Sequence, residues 1–481
     1  MAAQVIPMFD GPTPCDDQED WKVQYVSFVG VLLEQLLKGL RMEKLSDITS
    51  GVFGRKADIL GQMALALIRK VHGALLEQEQ CPCPECRRLL KRRGMHRRPV
   101  ETLGGRFELE RPYFYCTHCS LGIYPVDEAL GLSPAIKQDD VQSVGVFLAT
   151  ELSYELASEA YHRCTGAQFS EHSLHESVKR VAEDLNVLDV CPTKAEVEEK
   201  IARIAAGMRW RPVMMLTADG AQEPVRPEPS PRKGKRGKGE WKEVKGFRIY
   251  LLDEDRIEHL ISWHQMGSHH ELAEALRTIK EAGLIPEEKV RLCVVADGAD
   301  WIWNRIEELF PNARQVMDYY HCSEYLHAVA AAQYGKKSEQ AREWVYATLV
   351  RLSLNEESQV IGGLKRMKPA SAEAAKSIDN AIVHLTKHSN RLNYASAKRG
   401  GYHIGSGAME SANKMICHGR LKRTGAWWYP SCANNILRLR CAKYNGTYDR
   451  VMELYRQRHP IMAVRKSKKR GTSGTNETLP S

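Results

Sequence analysis

The chain has 481 residues, 43% of them hydrophobic and 27% charged, with a formal net charge of +9. This length suffices for several domains of about 100 to 200 residues each, and the composition is that of an ordinary globular protein. The positive charge favours an anionic partner, but it does not by itself distinguish nucleic acid from other anions.

The chain shows no membrane span or secretion signal. The longest apolar stretch, residues 23–40, contains Gln24, Glu34, Gln35 and Lys38, which predicts a helix packed on one face. The first residues lack a positively charged region followed by an apolar one. The 13 cysteines then favour a reducing compartment, where paired cysteines more often bind metal than form disulfides. We therefore expect a cytoplasmic protein without membrane association.

Arginine and lysine crowd three short stretches, at residues 87–98, 226–238 and 465–470. Three such clusters make nucleic acid the leading partner. The cations of the first two clusters that we expect to contact DNA are Arg92, Arg93, Arg97, Arg98, Lys233, Lys235 and Arg236.

In chain order, helical periodicity at residues 21–40 and 57–76 predicts a helical N-terminal region over residues 1–80. A cysteine-rich module follows at residues 81–135. Cys83 with Cys86 and Cys116 with Cys119 form two C-x-x-C pairs, whose four thiolates suit one structural zinc ion. Alternation at residues 106–115 predicts a strand that leads into the second pair.

Other interpretations of these cysteines remain open. Cys81 and His118 are alternative ligands, although His118 lies between two better placed cysteines. Four free cysteines brought together by chance are less favoured than zinc. A redox site is also less favoured, because such sites typically have one C-x-x-C pair that opens a helix.

Residues 136–208 have a helical pattern. Ser170 is a plausible cap for a helix whose apolar positions are Leu174, Val178, Val181 and Leu185. Two helices with a short turn suggest a helix-turn-helix, but two packing helices without a DNA role are an equally good interpretation.

After residue 209 the pattern predicts strands at residues 213–216, 246–252, 257–263, 290–295 and 315–319. Helices are predicted at residues 270–282 and 301–309. This order predicts a mixed sheet covered by helices, an RNase H-like core formed by residues 209–323 and 399–445. Residues 225–240 should be an exposed loop, residues 324–398 a helical insertion, and residues 446–481 a basic tail that is disordered after about residue 465.

Two aspartates follow predicted strands. Asp219 and Asp297 each close an apolar run and each precede a glycine, so both carboxylates should emerge at the carboxyl edge of one sheet. For either Asp-Gly pair alone, a structural turn is the better interpretation. Together they suit hard divalent cations, and the glycine allows metal and phosphate to approach the backbone.

A third acidic residue, Glu410, opens a predicted amphipathic helix. Ser406 can cap this helix, and its buried positions should be Ala408, Met409, Ala412, Met415 and Ile416. The alternative is an exposed glutamate paired with Lys414. Asp318 is the rival third carboxylate, and Asp300 a weaker rival that more plausibly caps its helix or forms an ion pair.

Cations and tryptophans follow Glu410 closely. They are Arg420, Lys422, Arg423, Trp427 and Trp428. Guanidinium groups at these positions could bind phosphates, and indoles could stack on unpaired bases at a DNA end. Packing in a core is the more common role of tryptophans in a helical segment.

These motifs resemble those of bacterial insertion-sequence transposases of the DDE type, most closely the ISKra group. The resemblance spans nearly the whole chain and is carried by CPEC and CTHC (residues 83–86 and 116–119), LTADG (216–220), VADGADW (295–301), MDYYH (317–321) and residues 404–422, the most specific block. It implies that Asp219, Asp297 and Glu410 are a catalytic triad that binds two Mg²⁺ ions. It also implies a zinc module that recognises DNA ends and an RNase H-like core with a helical insertion.

The expected function is that of a DNA transposase, acting near the bacterial nucleoid. It would bind the terminal inverted repeats of its own element as double-stranded DNA, cleave them and join the ends to target DNA. Two ends must be brought together, so we expect a homo-oligomer. The alternatives are a non-catalytic zinc-containing DNA-binding regulator and an RNase H-like nuclease without joining activity.

Overall fold

The computed structural model describes residues 20–39, 44–227, 238–254, 256–459 and 464–465. Three of the expected DNA contacts, Lys233, Lys235 and Arg236, lie outside these residues, as do most of the predicted 225–240 loop and the tail after residue 465. The chain forms two compact units. One contains residues up to Ala149, Tyr154–Leu174 and residues from Tyr455 onward, and the other contains Thr150–Ser153 and His175–Leu454.

The first half of the described chain contains the helices α1 (Asp20–Gly39), α2 (Leu45–Gly54), α3 (Lys56–Leu76), α4 (Pro125–Ala129), α5 (Asp139–Glu151), α6 (Tyr154–Thr165), α7 (Glu171–Ala182), α8 (Val187–Val190) and α9 (Lys194–Ala205). The second half contains α10 (His269–Glu281), α11 (Asp300–Leu309), α12 (Tyr319–Tyr334), α13 (Glu339–Ser353), α14 (Glu357–Arg366), α15 (Ala372–Lys387), α16 (Tyr394–Arg399), α17 (Gly407–Ala412), α18 (Gly419–Leu421), α19 (Pro430–Tyr444) and α20 (Tyr448–Arg458). A 3₁₀ turn covers Ser389–Arg391, and a π-helix covers Asn413–His418.

The strands form two five-stranded sheets. The first has the order β1-β2-β3-β4-β10, made of β1 (Gln80–Pro82), β2 (Leu89–Thr102), β3 (Gly105–Cys116), β4 (Leu121–Ile123) and β10 (Val464–Arg465). The second has the order β7-β6-β5-β8-β9, made of β5 (Val213–Val225), β6 (Glu240–Asp253), β7 (Arg256–Gln265), β8 (Arg291–Ala296) and β9 (Arg314–Met317). The prediction of a mixed α/β protein with several parts is therefore confirmed.

In the first unit, α3 packs against the long β2–β3 hairpin. Leu65 of α3 shares a core with Val100, Phe107 and Leu109 of the hairpin. The helix approaches so closely that a side chain at Gly61 would overlap the backbone of Arg106. Helices at residues 21–40 and 57–76 and a strand at residues 106–115 were predicted, and α1, α3 and β3 match them. The long strand β2, which carries the first basic cluster, was not predicted.

One helix in the described part of the chain, Lys56–Leu76, is long and apolar enough to cross a membrane by length and composition alone. Gly61 and Leu65 of this helix are buried, and Leu65 packs on the β2–β3 hairpin. The predicted helix at residues 23–40 is α1, whose buried Phe28 and Leu32 pack with Val29 and Ile59.

In the second unit, the sheet combines antiparallel and parallel pairing. β5, β6 and β7 form an antiparallel meander, and β5, β8 and β9 are parallel neighbours. β5 is central, and residues 213–218 are all buried because the strand is covered on both faces. The helix α10 lies between β7 and β8 in sequence and begins with a capping box formed by Ser268 and Glu271.

Helices α12 to α16 occupy the predicted insertion between the sheet and Glu410. Hydroxyl or carboxylate side chains cap three of them, namely Asp318 at α12, Ser338 at α13 and Ser371 at α15. The expected helix cap at Ser170 is also present, since its hydroxyl accepts the backbone N–H of Ser173 at 3.2 Å.

Candidate active site and metal centre

Asp219 and Asp297 lie at adjacent positions of neighbouring strands. The parallel pairing of β5 with β8 ends at Ala218 opposite Ala296; Asp219 is the next residue of β5, and Asp297 is the first residue after β8. The prediction that Asp219 closes its strand is wrong, because β5 continues to Val225 as an antiparallel partner of β6. The apolar run before Asp219 covers the part of β5 that is buried between two strands, and it stops where β8 stops.

The carboxyl group of Asp219 is half-buried among other acids. Burial is the main cause that raises its pKa to about 6, and the negative charges of Asp297, Glu243 and Glu410 add to the effect. A hydrogen bond from the backbone N–H of Gly220, at 2.7 Å, acts in the opposite direction. The charges of the other two predicted acidic residues therefore act on Asp219, and so does the charge of a fourth acidic residue, Glu243.

Glu410 is exposed and has Lys414 Nζ 3.8 Å from its carboxylate, which is the ion pair considered as the alternative. Among the described residues, the side chains of Cys83, Cys86, Cys116 and Cys119 form a group that could hold a metal ion. The carboxylates of Asp219, Asp297 and Glu410 do not form such a group. The negative charge of Glu410 contributes to the raised pKa of Asp219.

The helix that carries Glu410 differs from the prediction in two ways. The hydroxyl of Ser406 does not cap it but donates to Asp318. Met415 is 54% exposed, whereas Ile416 is buried as expected. The cause is the π-helix that begins at Asn413, because its wider turn rotates the following residues relative to an α-helix.

The two rival carboxylates have structural partners. Asp318 Oδ1 accepts the backbone N–H groups of Tyr320 and His321 at 2.7 and 3.2 Å, and Oδ2 accepts the N–H of Ser406 at 2.8 Å. Asp318 therefore caps α12 and anchors the segment that leads to Glu410. Asp300 forms an ion pair with Lys387, as the sequence indicated.

Neighbouring side chains lie close to both glycines that follow the aspartates. A Cβ atom at Gly220 would overlap the carboxylate of Glu243, and one at Gly298 would overlap the ring of His384. The sequence analysis did not identify Glu243, because the register that pairs Gln222 with Glu243 is not visible in the sequence. Lys245 forms an ion pair with Glu243.

Glu223 is a further acidic residue that the sequence analysis missed. It lies four residues after Asp219 on the same face of β5, is fully buried, and its carboxyl oxygens form no hydrogen bond within the described structure. Burial raises its pKa to about 7, and His418 Nε2 lies 3.5 Å away. Burial lowers the pKa of His418, and the positive charges of Lys422 and Lys414 lower it further.

The aromatic and basic residues after Glu410 separate into buried and exposed groups. Arg420 and Trp428 are buried and stack on each other, with the guanidinium 4.7 Å from the ring centre. Arg423 donates to the carbonyl of Glu151 at 2.6 Å. Lys422 is exposed and lies 5.2 Å from the ring of Trp241.

Trp427 is 40% exposed, and its ring has Arg226 5.7 Å from its centre. Trp241 is 56% exposed and was not identified from the sequence. Both exposed indoles therefore have a cation beside them, and both lie near the end of the β5–β6 hairpin, where Val225 bridges to Trp428 and pairs with Glu240.

The arginines of the first unit that were expected to contact DNA differ in their exposure and in their ion pairs. Arg93 and Arg97 are exposed on β2, and Arg97 is 3.6 Å from Glu110. Arg92 forms an ion pair with Glu79. Arg98 is held at 2.7 Å by the buried carboxylate of Asp127, which also binds Arg111, so its role is structural.

Four thiols converge in the first unit, and the cluster could hold a metal ion such as zinc. The Sγ atoms of Cys83, Cys86, Cys116 and Cys119 all lie within 4.8 Å of one another. Two of the separations are 3.9 Å (Cys83 to Cys119) and 3.6 Å (Cys86 to Cys116). A tetrahedral zinc site with Zn–S bonds of about 2.3 Å requires S–S separations of roughly 3.8 Å, so the cluster fits.

The two C-x-x-C turns have the same backbone design. The residue after each second cysteine, Arg87 and Ser120, has a positive φ of 60° and 52°. In the second turn the backbone N–H of Cys119 points to the sulfur of Cys116 at 3.5 Å. Cys81 and His118, the alternative ligands, are not members of the cluster.

The raised pKa of Asp219 predicts a pH-dependent stability change. Its protonated form stabilises the folded protein fully below the ordinary pKa of about 4, and this stabilisation is lost as the pH rises through 6. Replacing Asp219 with asparagine removes the repulsion, so we expect the free energy of unfolding at pH 7.5 to rise by up to about 2–3 kcal/mol.

Calorimetry without divalent metal should show this gain at pH 7.5 and its disappearance at pH 4. Asp300→Asn is the control, because that carboxylate is exposed and paired with Lys387. A variant of Asp219 that is no more stable than the natural protein at pH 7.5 would contradict the electrostatic description.

Comparison with known proteins gives one result. No curated protein matches the chain. The model of an uncharacterised protein family, UPF0236, matches residues 44–458 and so includes the cysteine cluster, the sheet and Glu410. The chain therefore belongs to the uncharacterised protein family UPF0236.

Proposed function

We propose that the protein is a DNA transposase that cleaves and joins DNA ends with Asp219, Asp297 and Glu410. The observation that carries the proposal is the adjacency of Asp219 and Asp297 at the end of the β5–β8 ladder, together with the charge of Glu410 acting on Asp219. A concentration of negative charge around a half-buried carboxyl is typical of a site that binds cations.

The sheet supports the proposal. Five strands in the order β7-β6-β5-β8-β9, with β6 antiparallel to its two neighbours, support the proposal of an RNase H-like core. In that arrangement the first and fourth strands in sequence are neighbours and bring their acidic residues together. Helices α12 to α16 lie in sequence between β9 and Glu410, where the resemblance implies a helical insertion, and this position supports the proposal.

Magnesium suits these residues chemically, because Mg²⁺ prefers carboxylate oxygens and the site carries an excess of negative charge. Two bound ions would activate a water or a 3′ hydroxyl and stabilise the leaving oxygen of an in-line displacement at phosphorus. Asp219 and Asp297 would hold the ions from the sheet, and Glu410 would complete the set from its exposed helix. The protein would supply the fixed positions of the first two ligands.

We place the proposed DNA contacts on exposed side chains. Lys422 and Trp427 in the second unit, and Arg93 and Arg97 in the first, are exposed. Lysine and arginine would bind phosphates, and the indoles of Trp427 and Trp241 would stack on bases. Because two DNA ends must be joined, the active form is proposed to be a homo-oligomer.

A DNA joining assay tests the proposal. Purified protein is supplied with a terminal-repeat duplex, with or without a pre-cleaved 3′ end, plus target DNA and Mg²⁺ or Mn²⁺. We expect cleavage of the first substrate, joining of the second, and loss of both activities without metal or with Asp297→Asn, which should still bind DNA.

Other outcomes identify the alternatives. Cleavage without joining of the pre-cleaved end would indicate a nuclease. DNA binding with neither activity would indicate a regulator, and full activity of the Asp297→Asn variant would refute the assigned site.

A further inference from the structure

The side chain of Asn413 connects the first aspartate of the site to a buried histidine. Its amide nitrogen Nδ2 donates to Asp219 Oδ2 at 3.0 Å, and its oxygen Oδ1 lies 3.1 Å from Nε2 of His264. Asn413 is 5% exposed and His264 is fully buried. Nothing in the proposed chemistry uses either residue.

The direction of these hydrogen bonds is determined by the groups involved. A carboxylate oxygen can only accept, so the NH₂ group of Asn413 must face Asp219 and its oxygen must face His264. His264 Nε2 then carries the hydrogen and donates it. Turning the amide over would place two acceptors against each other at Asp219, in a region with little access for water. With its hydrogen on Nε2, His264 therefore stabilises the amide orientation that supports Asp219.

The position of Asn413 in the chain extends this connection to Glu410. Asn413 follows Glu410 by three residues and is the first residue of the π-helix. The preceding helix is also held to the sheet, because Arg248 of β6 donates to the carbonyl of Ala408 at 2.7 Å. The amide of Asn413 is thus a direct link between the strand of one acidic residue and the helix of another.

We propose that Asn413, oriented by His264, is a positioning residue that holds the carboxylate of Asp219 in register with the Glu410 helix for binding of divalent cations. This inference rests on the proposed function. Partners that orient metal ligands typically change metal affinity about 10- to 100-fold when they are removed.

The same strand offers a matched control. His259 of β7 also pairs with an asparagine, since its Nε2 lies 3.0 Å from Asn445 Oδ1. The amide nitrogen of Asn445 donates to the carbonyls of Val190 and Ser262 at 2.9 and 3.0 Å and not to an acidic side chain. The two His–Asn pairs therefore share their chemistry and differ in what the amide supports.

The experiment measures Mn²⁺ binding by calorimetry without DNA, together with thermal unfolding. We expect Asn413→Ala to weaken Mn²⁺ binding about 10- to 100-fold. Asn445→Ala should lower the unfolding temperature without changing the affinity. His264→Gln, which keeps a donor, should retain the affinity, and His264→Leu should lower it. This second pair of variants carries the test if Asn413→Ala does not fold.

Two failures are distinguishable. If the Asp297→Asn variant binds Mn²⁺ as tightly as the natural protein does, the assigned metal site is wrong, and the proposed function is wrong with it. If Asp297→Asn abolishes binding while Asn413→Ala and His264→Leu bind as Asn445→Ala does, the positioning role is overturned and the proposed function stands.

Discussion

Replacing Glu410 with glutamine is expected to reduce metal-dependent DNA cleavage and joining at least about 10³-fold, because a lost metal ligand removes several kcal/mol of transition-state stabilisation. Glutamine keeps the size of the side chain, and Glu410 is exposed, so the fold should not change. Rates are measured with a pre-cleaved DNA end at saturating DNA and Mg²⁺. DNA binding is measured in parallel and should remain.

Glu243→Gln is the matched control, because Glu243 is the other glutamate whose charge raises the pKa of Asp219. Its carboxylate is already paired with Lys245, so the variant should lose far less activity. The reverse result, with Glu243 essential and Glu410 dispensable, would move the third acidic position from the helix α17 to the strand β6. If both variants were as active as the natural protein, neither Glu410 nor Glu243 would take part in the reaction.

Replacing Cys116 with serine, or removing metal with a chelator, is expected to unfold the cysteine module of the first unit. Structural zinc sites contribute about 10–16 kcal/mol to the folding of small zinc-binding peptides, and three thiolates cannot retain most of that contribution. Cys116 is buried in a small core with Phe114, Leu121 and Ile123, so the loss of the metal exposes this core. Zinc content by mass spectrometry and thermal unfolding are the measurements.

Cys81→Ser is the control for this change. Cys81 is also buried in that core, but its sulfur lies outside the four-cysteine cluster and is directed to the carbonyl of Pro82 at 3.4 Å. We expect one zinc ion to remain bound, with only a modest loss of stability. Zinc retained by Cys116→Ser, or lost from Cys81→Ser, would contradict the assigned ligand set.

Local features of the sequence predicted several of the elements. The helices α1, α3, α10 and α11 and the strands β7, β8 and β9 begin and end within a few residues of their predicted bounds, since hydrophobic periodicity and caps are local signals. The pairs Cys83–Cys86 and Cys116–Cys119 were also readable, because each C-x-x-C turn is complete within a few residues.

Long-range register was not readable. β5 and β6 extend far beyond their apolar runs, because their outer halves pair only with each other and one face needs no apolar side chains. Met415 was expected to be buried and is exposed, since the π-helix has no marker in the sequence. Trp428 and Trp427 are adjacent in sequence, yet one is buried against Arg420 and the other is exposed.

The sequence by itself determined which residues could perform chemistry: three acidic residues with their flanking glycines or helix, and four cysteines at zinc-binding spacing. Only the tertiary structure decided which neighbours act on them. Asp219 and Asp297 come together because β5 and β8 pair in parallel up to Ala218 and Ala296, Glu243 lies near Asp219 through the β5–β6 register, and Asn413 reaches Asp219 across 194 positions. The physical reason is that side-chain type is a local property, whereas strand register and helix packing depend on contacts between distant segments.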